Sequence, residues 1–147
     1  IRHGFVSFDI KGPFLRTILP SGRPLYYLRP KLEEVMTPWG EMKLQITYEG
    51  LNDRKQWVRM HTTPGKLTEN ADQAISRDLL AHGIKLAKKR KLDVRLHVHD
   101  QILALVREDR AEKSLAILRE CMEEVPSWAP GLPLGSAGLT TKVFVKD

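Results

Sequence analysis

The stretch LHVHDQILALV, at residues 96–106, restricts the possible folds of this chain more than any other. The run that ends at Val98 alternates apolar and polar side chains, which is typical of a strand with one buried face. The run 102–106 is continuously apolar, as in a fully buried strand. Only three residues separate the two runs, so the sequence predicts a tight antiparallel hairpin over 94–106, with a histidine and an aspartate at its tip.

The tip residues His99 and Asp100 allow three interpretations: an ordinary polar turn, a metal site, or one part of a larger active site. His97 and His99 would share a strand face, a spacing that suits zinc. Two ligands are too few, however, and no Cys-x-x-Cys or His-Glu-x-x-His pattern supplies the others. Cys121 is expected mid-helix on or near an apolar face, as a core residue and not a nucleophile. From the residues alone, a His-Asp pair at a turn is more often structural than catalytic.

Two further hairpins are predicted over 14–61. Residues 14–28 form two strand-like runs around Pro-Ser-Gly at 20–22, a turn signal because proline presets φ and glycine tolerates the left-handed region. Residues 41–50 alternate apolar and polar side chains, and 55–61 return after a polar turn.

A long helix is predicted over 66–91, a segment without an internal proline. Glu69, Gln73 and Arg77 recur at every fourth position and form a polar stripe opposite the apolar side. Asp78 falls inside the apolar arc, so we expect it to have a hydrogen-bonding or charged partner.

A second helix is predicted over 109–125, where Asp109 and Glu112 resemble a capping box. A turn-rich tail at 126–147 follows, with a strand near 142–145. The order of strands and helices predicts an α+β fold in a single domain: an antiparallel sheet with helices packed on one face.

The 147-residue chain has 41% hydrophobic and 29% charged residues, and it contains no apolar run long enough to cross a membrane. Lysine and arginine total 24 against 18 acidic residues, and the net charge of +6 modestly favours a nucleic-acid partner. A single cysteine excludes an internal disulfide framework and fits a reducing cytoplasm. The N-terminus carries no secretory signal and begins with Ile1, which favours a chain cut from something longer.

Several short motifs, taken together, are more specific than the hairpin alone. They are Leu19-Pro20-Ser21-Gly22-Arg23 followed by Leu25 and Tyr26, Gly65-Lys66-Leu67, Glu69-Asn70, Gln73-Ala74, Arg77-Asp78-Leu79-Leu80, Val98-His99-Asp100, and SWAPGLPL at 127–134. Their order resembles that of the family A DNA polymerases, the group of bacterial DNA polymerase I and many bacteriophage replicative enzymes. The chain looks closest to the phage branch, from residue 14 to the C-terminus.

The resemblance implies that 96–106 is motif C of the polymerase palm, with Asp100 as one of two carboxylates that bind divalent metal. Mg²⁺ is the expected cofactor, in a two-metal site that activates the primer 3′-hydroxyl and holds the triphosphate. His99 would lie near the primer terminus, with a catalytic and a DNA-binding role. Gln101 stands where the family has Glu, and because an amide brings no negative charge we do not expect it to be catalytic.

The same resemblance implies DNA contacts on the long helix. Gln73 would face the minor groove of the primer–template duplex, where an amide donor meets acceptors common to every base pair. Arg77 would bind a phosphate or a base edge. Glu69 stands where bacterial DNA polymerase I has Asn, and it is expected to pair with a cation or to turn away from DNA. The segment 62–66, Thr-Thr-Pro-Gly-Lys, departs from the Tyr-Gly-Gly-Lys of the phage pattern.

Two other motifs of that family have no counterpart in the sequence. Motif A is an Asp followed within a few residues by a Glu, whereas Asp9 is followed by Lys11 and Gly12. Motif B, a fingers helix with Arg, Lys and a stacking aromatic, is also absent. Because this catalysis is mostly positioning and charge neutralisation, half a site should give almost none of it.

The chain is therefore expected to be the C-terminal palm portion of a DNA-directed DNA polymerase, inactive on its own. Its expected partners are primer–template DNA, a dNTP and the remainder of the polymerase chain, which would supply the fingers and the motif A strand. We expect it in the cytoplasm of a bacterial host, encoded by a phage or prophage, and without a membrane partner.

Two alternatives stay open. One is a non-catalytic nucleic-acid-binding α+β module, which predicts exposed aromatic side chains on a sheet face, with Tyr26, Tyr27 and Trp57 as candidates. The other is a structural fragment whose basic surface covers a partner chain.

Overall fold

The computed structural model describes residues 2–3 and 5–143, in two compact units that meet at Ile75 and Ser76, within one helix. The fold is α+β with antiparallel sheets and two helices, so the predicted fold class is confirmed. The single domain over 1–147, with both helices on one sheet face, stays a prediction. In chain order the elements are β1 Arg2–His3, β2 Val6–Lys11, β3 Phe14–Ile18, β4 Pro24–Met36, β5 Met42–Leu51, β6 Trp57–Thr62, α1 Pro64–Lys89, β7 Asp93–Val98, β8 Gln101–Leu105, a 3₁₀ turn Glu108–Arg110 and α2 Ala111–Glu123.

The first unit is built on one sheet in which β1 to β6 are neighbours in chain order, all antiparallel. Both predicted hairpins, β3–β4 and β5–β6, are present. The Pro-Ser-Gly turn closes as expected: the Gly22 amide donates to the Leu19 carbonyl at 2.9 Å, and Gly22 has a φ of +86°.

Strand β4 runs much further than the sequence predicts. Its pairing with β5 shifts between Leu28 and Lys31, where Arg29 has a φ of +46° and Pro30 follows. A proline inside a strand is tolerated at such a bulge because no ladder hydrogen bond is required of it there. The strand then continues to Met36.

The β3–β4 hairpin is bound to the first part of α1 by two polar contacts. Tyr27 is buried, its ring meets that of Tyr48 edge-on at 5.1 Å, and its hydroxyl accepts a 3.2 Å hydrogen bond from Asn70 Nδ2. Arg23 Nη2 donates to the Ala74 carbonyl at 2.9 Å. Two separate sequence motifs, at 19–26 and 69–74, are therefore neighbours in this unit.

Helix α1 begins two residues before its predicted start. Thr63 Oγ1 accepts a hydrogen bond from the Lys66 amide at 3.2 Å, and Pro64 occupies the first helical position, where its missing N–H costs nothing. The departure from the phage pattern at 62–66 thus forms a regular helix start.

The C-terminal end of α1 is closed by a Schellman motif. The Lys91 amide donates to the Lys88 carbonyl and the Leu92 amide to the Ala87 carbonyl, each at 3.0 Å. Lys91 has a φ of +61° at the position where glycine is usual.

In the second unit, α1 and α2 approach closely at Gly83. A Cβ on Gly83 would lie 3.4 Å from the Cys121 carbonyl oxygen and 3.7 Å from Ile102 Cδ1. Cys121 is buried, which confirms the prediction of a core residue, and burial raises the pKa of its thiol.

The predicted capping box at Asp109 and Glu112 is wrong. Arg107 binds Asp109 through Nε and Nη2, at 3.0 and 3.2 Å, and a short 3₁₀ turn precedes α2. No side chain caps α2, and Glu112 instead accepts a hydrogen bond from Thr140.

The tail is held against α2 by Glu123. Its Oε1 accepts from the Ser136 hydroxyl at 2.7 Å and from the Ser136 amide at 3.1 Å, which lowers the pKa of this carboxyl below its usual value. Of the strand predicted near 142–145, Lys142 and Val143 are not in a strand, and 144–145 lie outside the described residues. No helix in the described part of the chain is both long enough and apolar enough to span a membrane.

We predict that Lys91→Gly raises the free energy of unfolding by about 1 kcal/mol, because a left-handed residue with a Cβ costs roughly that much. Denaturant unfolding of the two proteins measures it. Lys88→Gly is the matched control: it places glycine in a regular helical turn and should lower stability by about 1 kcal/mol. A loss of stability in both variants would contradict the assigned helix end.

Candidate functional site in the β7–β8 hairpin

The predicted hairpin is present as β7 and β8, which form a separate two-stranded sheet. Val98 pairs with Gln101, so His99 and Asp100 are the two turn residues. The tip is thus one residue shorter than the predicted tip of three. A turn this short, closed by a pair at the last strand positions, holds the two side chains in a narrow range of directions.

The predicted alternation along β7 is wrong at its start. The register shifts between Val94 and Leu96, so Arg95 is an extra residue in the ladder and Val94 lies on the opposite face from Leu96. The expectation that β8 is fully buried is also wrong: its residues are half-buried, and Leu105 is 61% exposed. The physical reason is that a two-stranded sheet has no further strands to cover it within the described residues.

His99 has an unusual backbone conformation. Its φ is +50°, in the left-handed region, which a side chain with a Cβ enters at a cost of about 1 kcal/mol. His99 is exposed and stands in the turn, so it does not share a strand face with His97, which pairs with Ile102. Strain of this kind is often found at functional positions.

Asp100 differs from the aspartates on either side of it. Asp93 accepts hydrogen bonds from Arg95 at 2.6 and 3.0 Å, and Asp109 is bound by Arg107. Asp100 is exposed, and no hydrogen bond or ion pair from the described residues engages its carboxylate. It therefore projects an uncompensated negative charge from the end of the hairpin.

One carboxylate of this kind is suited to a magnesium site that is completed from elsewhere. Mg²⁺ keeps several waters and is usually held by one or two carboxylates together with substrate oxygens. Within 2–3 and 5–143, no three His, Cys, Asp or Glu residues are grouped so that they could hold a metal. Gln101 is half-buried at the start of β8 and contributes no charge.

The two residues predicted to contact DNA from α1 are both exposed, Gln73 in the first unit and Arg77 in the second. Lys66 Nζ binds both carboxylate oxygens of Glu69, at 3.0 and 3.1 Å, which confirms the expectation that Glu69 pairs with a cation. Gln73 Nε2 in turn donates to Glu69 Oε1 at 3.3 Å. The sequence did not predict that Glu69 holds the Gln73 amide, although their four-residue spacing on a helix was a usable signal.

Asp9 is not available as a metal ligand in this structure. Asp9 on β2 is paired with Arg16 on β3, and the Arg16 guanidinium binds both oxygens of the Asp9 carboxylate. This contact lowers the pKa of Asp9.

Of the three aromatic residues of the alternative nucleic-acid module, Tyr26 and Trp57 lie on one face of the sheet and Tyr27 on the other. Tyr26 and Tyr27 are adjacent on β4 and point to opposite sides of the sheet, and Tyr27 is buried. Tyr26 and Trp57 are exposed, on strands separated by β5.

Comparison with known proteins gives one informative relative. The chain is 37% identical over all of its 147 residues to the DNA polymerase of Bacillus phage SP02, and it spans 22% of that protein's length. No protein-family model and no solved structure matches the chain.

We predict that His99→Gly raises the free energy of unfolding of this chain by about 1 kcal/mol, because glycine has no Cβ to strain. His99→Val is the contrasting variant, since a β-branched side chain is the least tolerated in the left-handed region, and it should lower stability by about 1 kcal/mol or more. Chemical denaturation measures both. Equal stability of the valine variant and the unmodified chain would show that the turn is not left-handed at this position.

Proposed function

We propose that this chain is the C-terminal palm portion of a DNA-directed DNA polymerase, of the phage branch of family A, and that Asp100 is the motif C carboxylate of its two-metal site. The observation that carries the proposal is the uncompensated carboxylate on a two-residue turn, in a chain similar over its whole length to a phage DNA polymerase.

The role of Asp100 follows from its charge and its support. A bound divalent cation neutralises charge on the triphosphate and lowers the pKa of the attacking 3′-hydroxyl. Asp100 would hold such a cation from a fixed turn, where position is defined better than on a loose loop. His99, beside it in the same turn, would contact the primer terminus. Gln101 leaves the tip of the hairpin with one negative charge where the family pattern has two.

A single carboxylate is half of such a site, and the hairpin itself looks incomplete. A two-stranded sheet is marginally stable in water, and β8 carries an apolar run whose last residue, Leu105, is largely exposed. Additional strands and the second carboxylate would come from the remainder of the polymerase. This chain would then be inactive alone and would bind primer–template DNA and a dNTP only as part of the whole enzyme, in the cytoplasm of the bacterial host.

The contact between Glu69 and Gln73 gives the proposed minor-groove residue a defined orientation. A carboxylate only accepts hydrogen bonds, so Gln73 must turn its NH₂ group toward Glu69. The second N–H of that group remains free to donate to a base acceptor. Lys66 neutralises Glu69, which reduces repulsion between this carboxylate and DNA phosphates. Arg77, one helical turn further on, would bind a phosphate or a base edge.

The non-catalytic nucleic-acid module is the second candidate, and the net charge of +6 is what favours it. The burial of Tyr27 weighs against it, because a stacking platform requires exposed aromatic faces.

We predict that Asp100→Asn in the complete polymerase lowers the rate of primer extension with Mg²⁺ and four dNTPs by at least about 100-fold, because the transition state loses a fixed charge contact. Asp93→Asn is the matched control in the same hairpin, and it should change the rate by less than about threefold, since Asp93 already pairs with Arg95. Primer-template affinity, measured in the same buffer, should be little changed in both. Normal extension by the Asp100 variant would remove the catalytic assignment.

We predict that Glu69 acts through Gln73, as a double-mutant cycle in the complete polymerase can measure. Gln73→Ala and Glu69→Ala should each raise KM for primer–template by about 3- to 10-fold, the worth of one hydrogen bond. The double variant should be no worse than Gln73→Ala alone. Effects that multiply would mean that the two residues act independently.

A further inference from the structure

The strongest feature that the proposed function does not use is the free end of the β4–β5 hairpin, here called the arm: residues 31–36 of β4, the turn, and 42–45 of β5. Strand β3 pairs with β4 only as far as Leu28, and β6 pairs with β5 only from Ile46 onward. The arm therefore extends beyond the rest of the sheet as a two-stranded ribbon. Such a ribbon is marginally stable in water unless something packs on it.

The two faces of the arm have opposite chemistry. Directly paired residues share a face, and the pairs Leu32–Ile46 and Met36–Met42, with Leu44 between them, put five apolar side chains on one side, here called the arm face. The other face is mostly polar, with Val35 as its one apolar residue in 31–36, and Thr47 Oγ1 donates to Glu33 Oε2 there at 2.6 Å.

The apolar side chains of the arm face are largely exposed. Leu32 is 68% exposed, Leu44 65% and Met36 62%, and Trp39 in the turn is 80% exposed. A contiguous apolar surface of this kind is uncommon on an isolated soluble chain and marks an interaction surface.

The base of the arm face contains a cleft of about 130 Å³, lined by Leu32, Leu44, Ile46, Pro64 and Leu67 together with three polar residues. Its volume is close to that of an apolar cavity that accepts benzene, about 150 Å³. The cleft is therefore the right size for one large apolar or aromatic side chain of a partner.

Glu34 limits what that partner is. It stands across from Leu44 in the middle of the arm face, exposed, and no cation of the described residues pairs with it. Two copies of this chain packed through their arm faces would bring two such carboxylates into an apolar contact, which is unfavourable. A partner that presents a lysine or arginine among apolar residues is favoured instead.

We propose that the arm is the docking element for the remainder of the polymerase polypeptide, which covers the arm face, fills the cleft with one large apolar side chain and pairs a cation with Glu34. This rests on the proposed function. The size of the relative supports the proposal. This chain aligns with 22% of the phage DNA polymerase, so the remaining 78% of that protein has no counterpart in this chain. That missing part is ample to cover the arm, which runs from 31 to 45.

The test compares cysteine labelling in the complete polymerase and in this chain alone. Met42→Cys lies on the arm face, and Lys43→Cys, the next residue, lies on the opposite face and is the matched control. The native Cys121 is buried and contributes little background. A maleimide should label Met42→Cys at least about tenfold more slowly in the complete polymerase than in this chain, whereas Lys43→Cys should react at similar rates in both.

Glu34→Lys gives a second readout. It should reduce the ratio between the labelling rates of Met42→Cys in this chain and in the complete polymerase, a ratio in which the direct effect of the new charge on the introduced thiol cancels. Equal labelling of Met42→Cys in both proteins would overturn the proposal. A second result would also overturn it: labelling of Met42→Cys that slows with rising concentration of this chain but stays fast in the complete polymerase. The arm face would then be covered by a second copy of this chain. These outcomes are independent of Asp100: protection of the arm together with normal extension by Asp100→Asn would refute the proposed catalytic role alone.

Discussion

The pairing of Val98 with Gln101 is the constraint on which the proposed site depends. It leaves two residues for the turn, forces His99 into the left-handed region and directs Asp100 away from the strands. A shift of one residue in this register would exchange the faces of both strands and move the carboxylate off the tip. The bulge at Arg95 adds a second requirement, since it puts Val94 and Leu96 on opposite faces of the hairpin. The position of Asp100 is therefore a property of the whole hairpin and not of the turn alone.

The hairpins and the long helix could be predicted from sequence because their periodicity is strong, and the β3–β4 turn also contains proline and glycine. The distal part of β4 could not be predicted. Pro30 and the charged residues that follow it are atypical of a strand, and the apolar side chains of this part are exposed. The start of α2 could not be predicted either. The sequence has the pattern of a capping box, but the Asp109 carboxylate accepts a hydrogen bond from Arg107 and does not cap the helix. Burial was predicted least well. The apolar run in β8 implies a covered strand, but coverage depends on neighbouring strands, and within the described residues β8 pairs with β7 alone.

The motifs that suggested a polymerase divide into two groups by what their side chains touch. Arg23 and Asn70 make contacts that bind a hairpin to a helix, so their presence is explained by the fold. No such structural contact explains the presence of Asp100, Arg77 or the second N–H of Gln73. The proposed functional roles are therefore assigned to these groups. Glu69 belongs to both groups, since it is tied to Lys66 and at the same time orients Gln73. Asp93 and Asp109 are each neutralised by a nearby arginine, whereas Asp100 has no such partner among the described residues, and this contrast is consistent with the proposed role of Asp100.

The most direct test of this account is the structure of the complete polymerase bound to primer–template DNA, an incoming dNTP and Mg²⁺. If Asp100 is a ligand of the two-metal site, one of its carboxylate oxygens should lie at about 2.1 Å from a cation that also contacts the triphosphate or the primer 3′-hydroxyl. A structure in which both cations are held by other residues, with the β7–β8 tip away from the primer terminus, would contradict it.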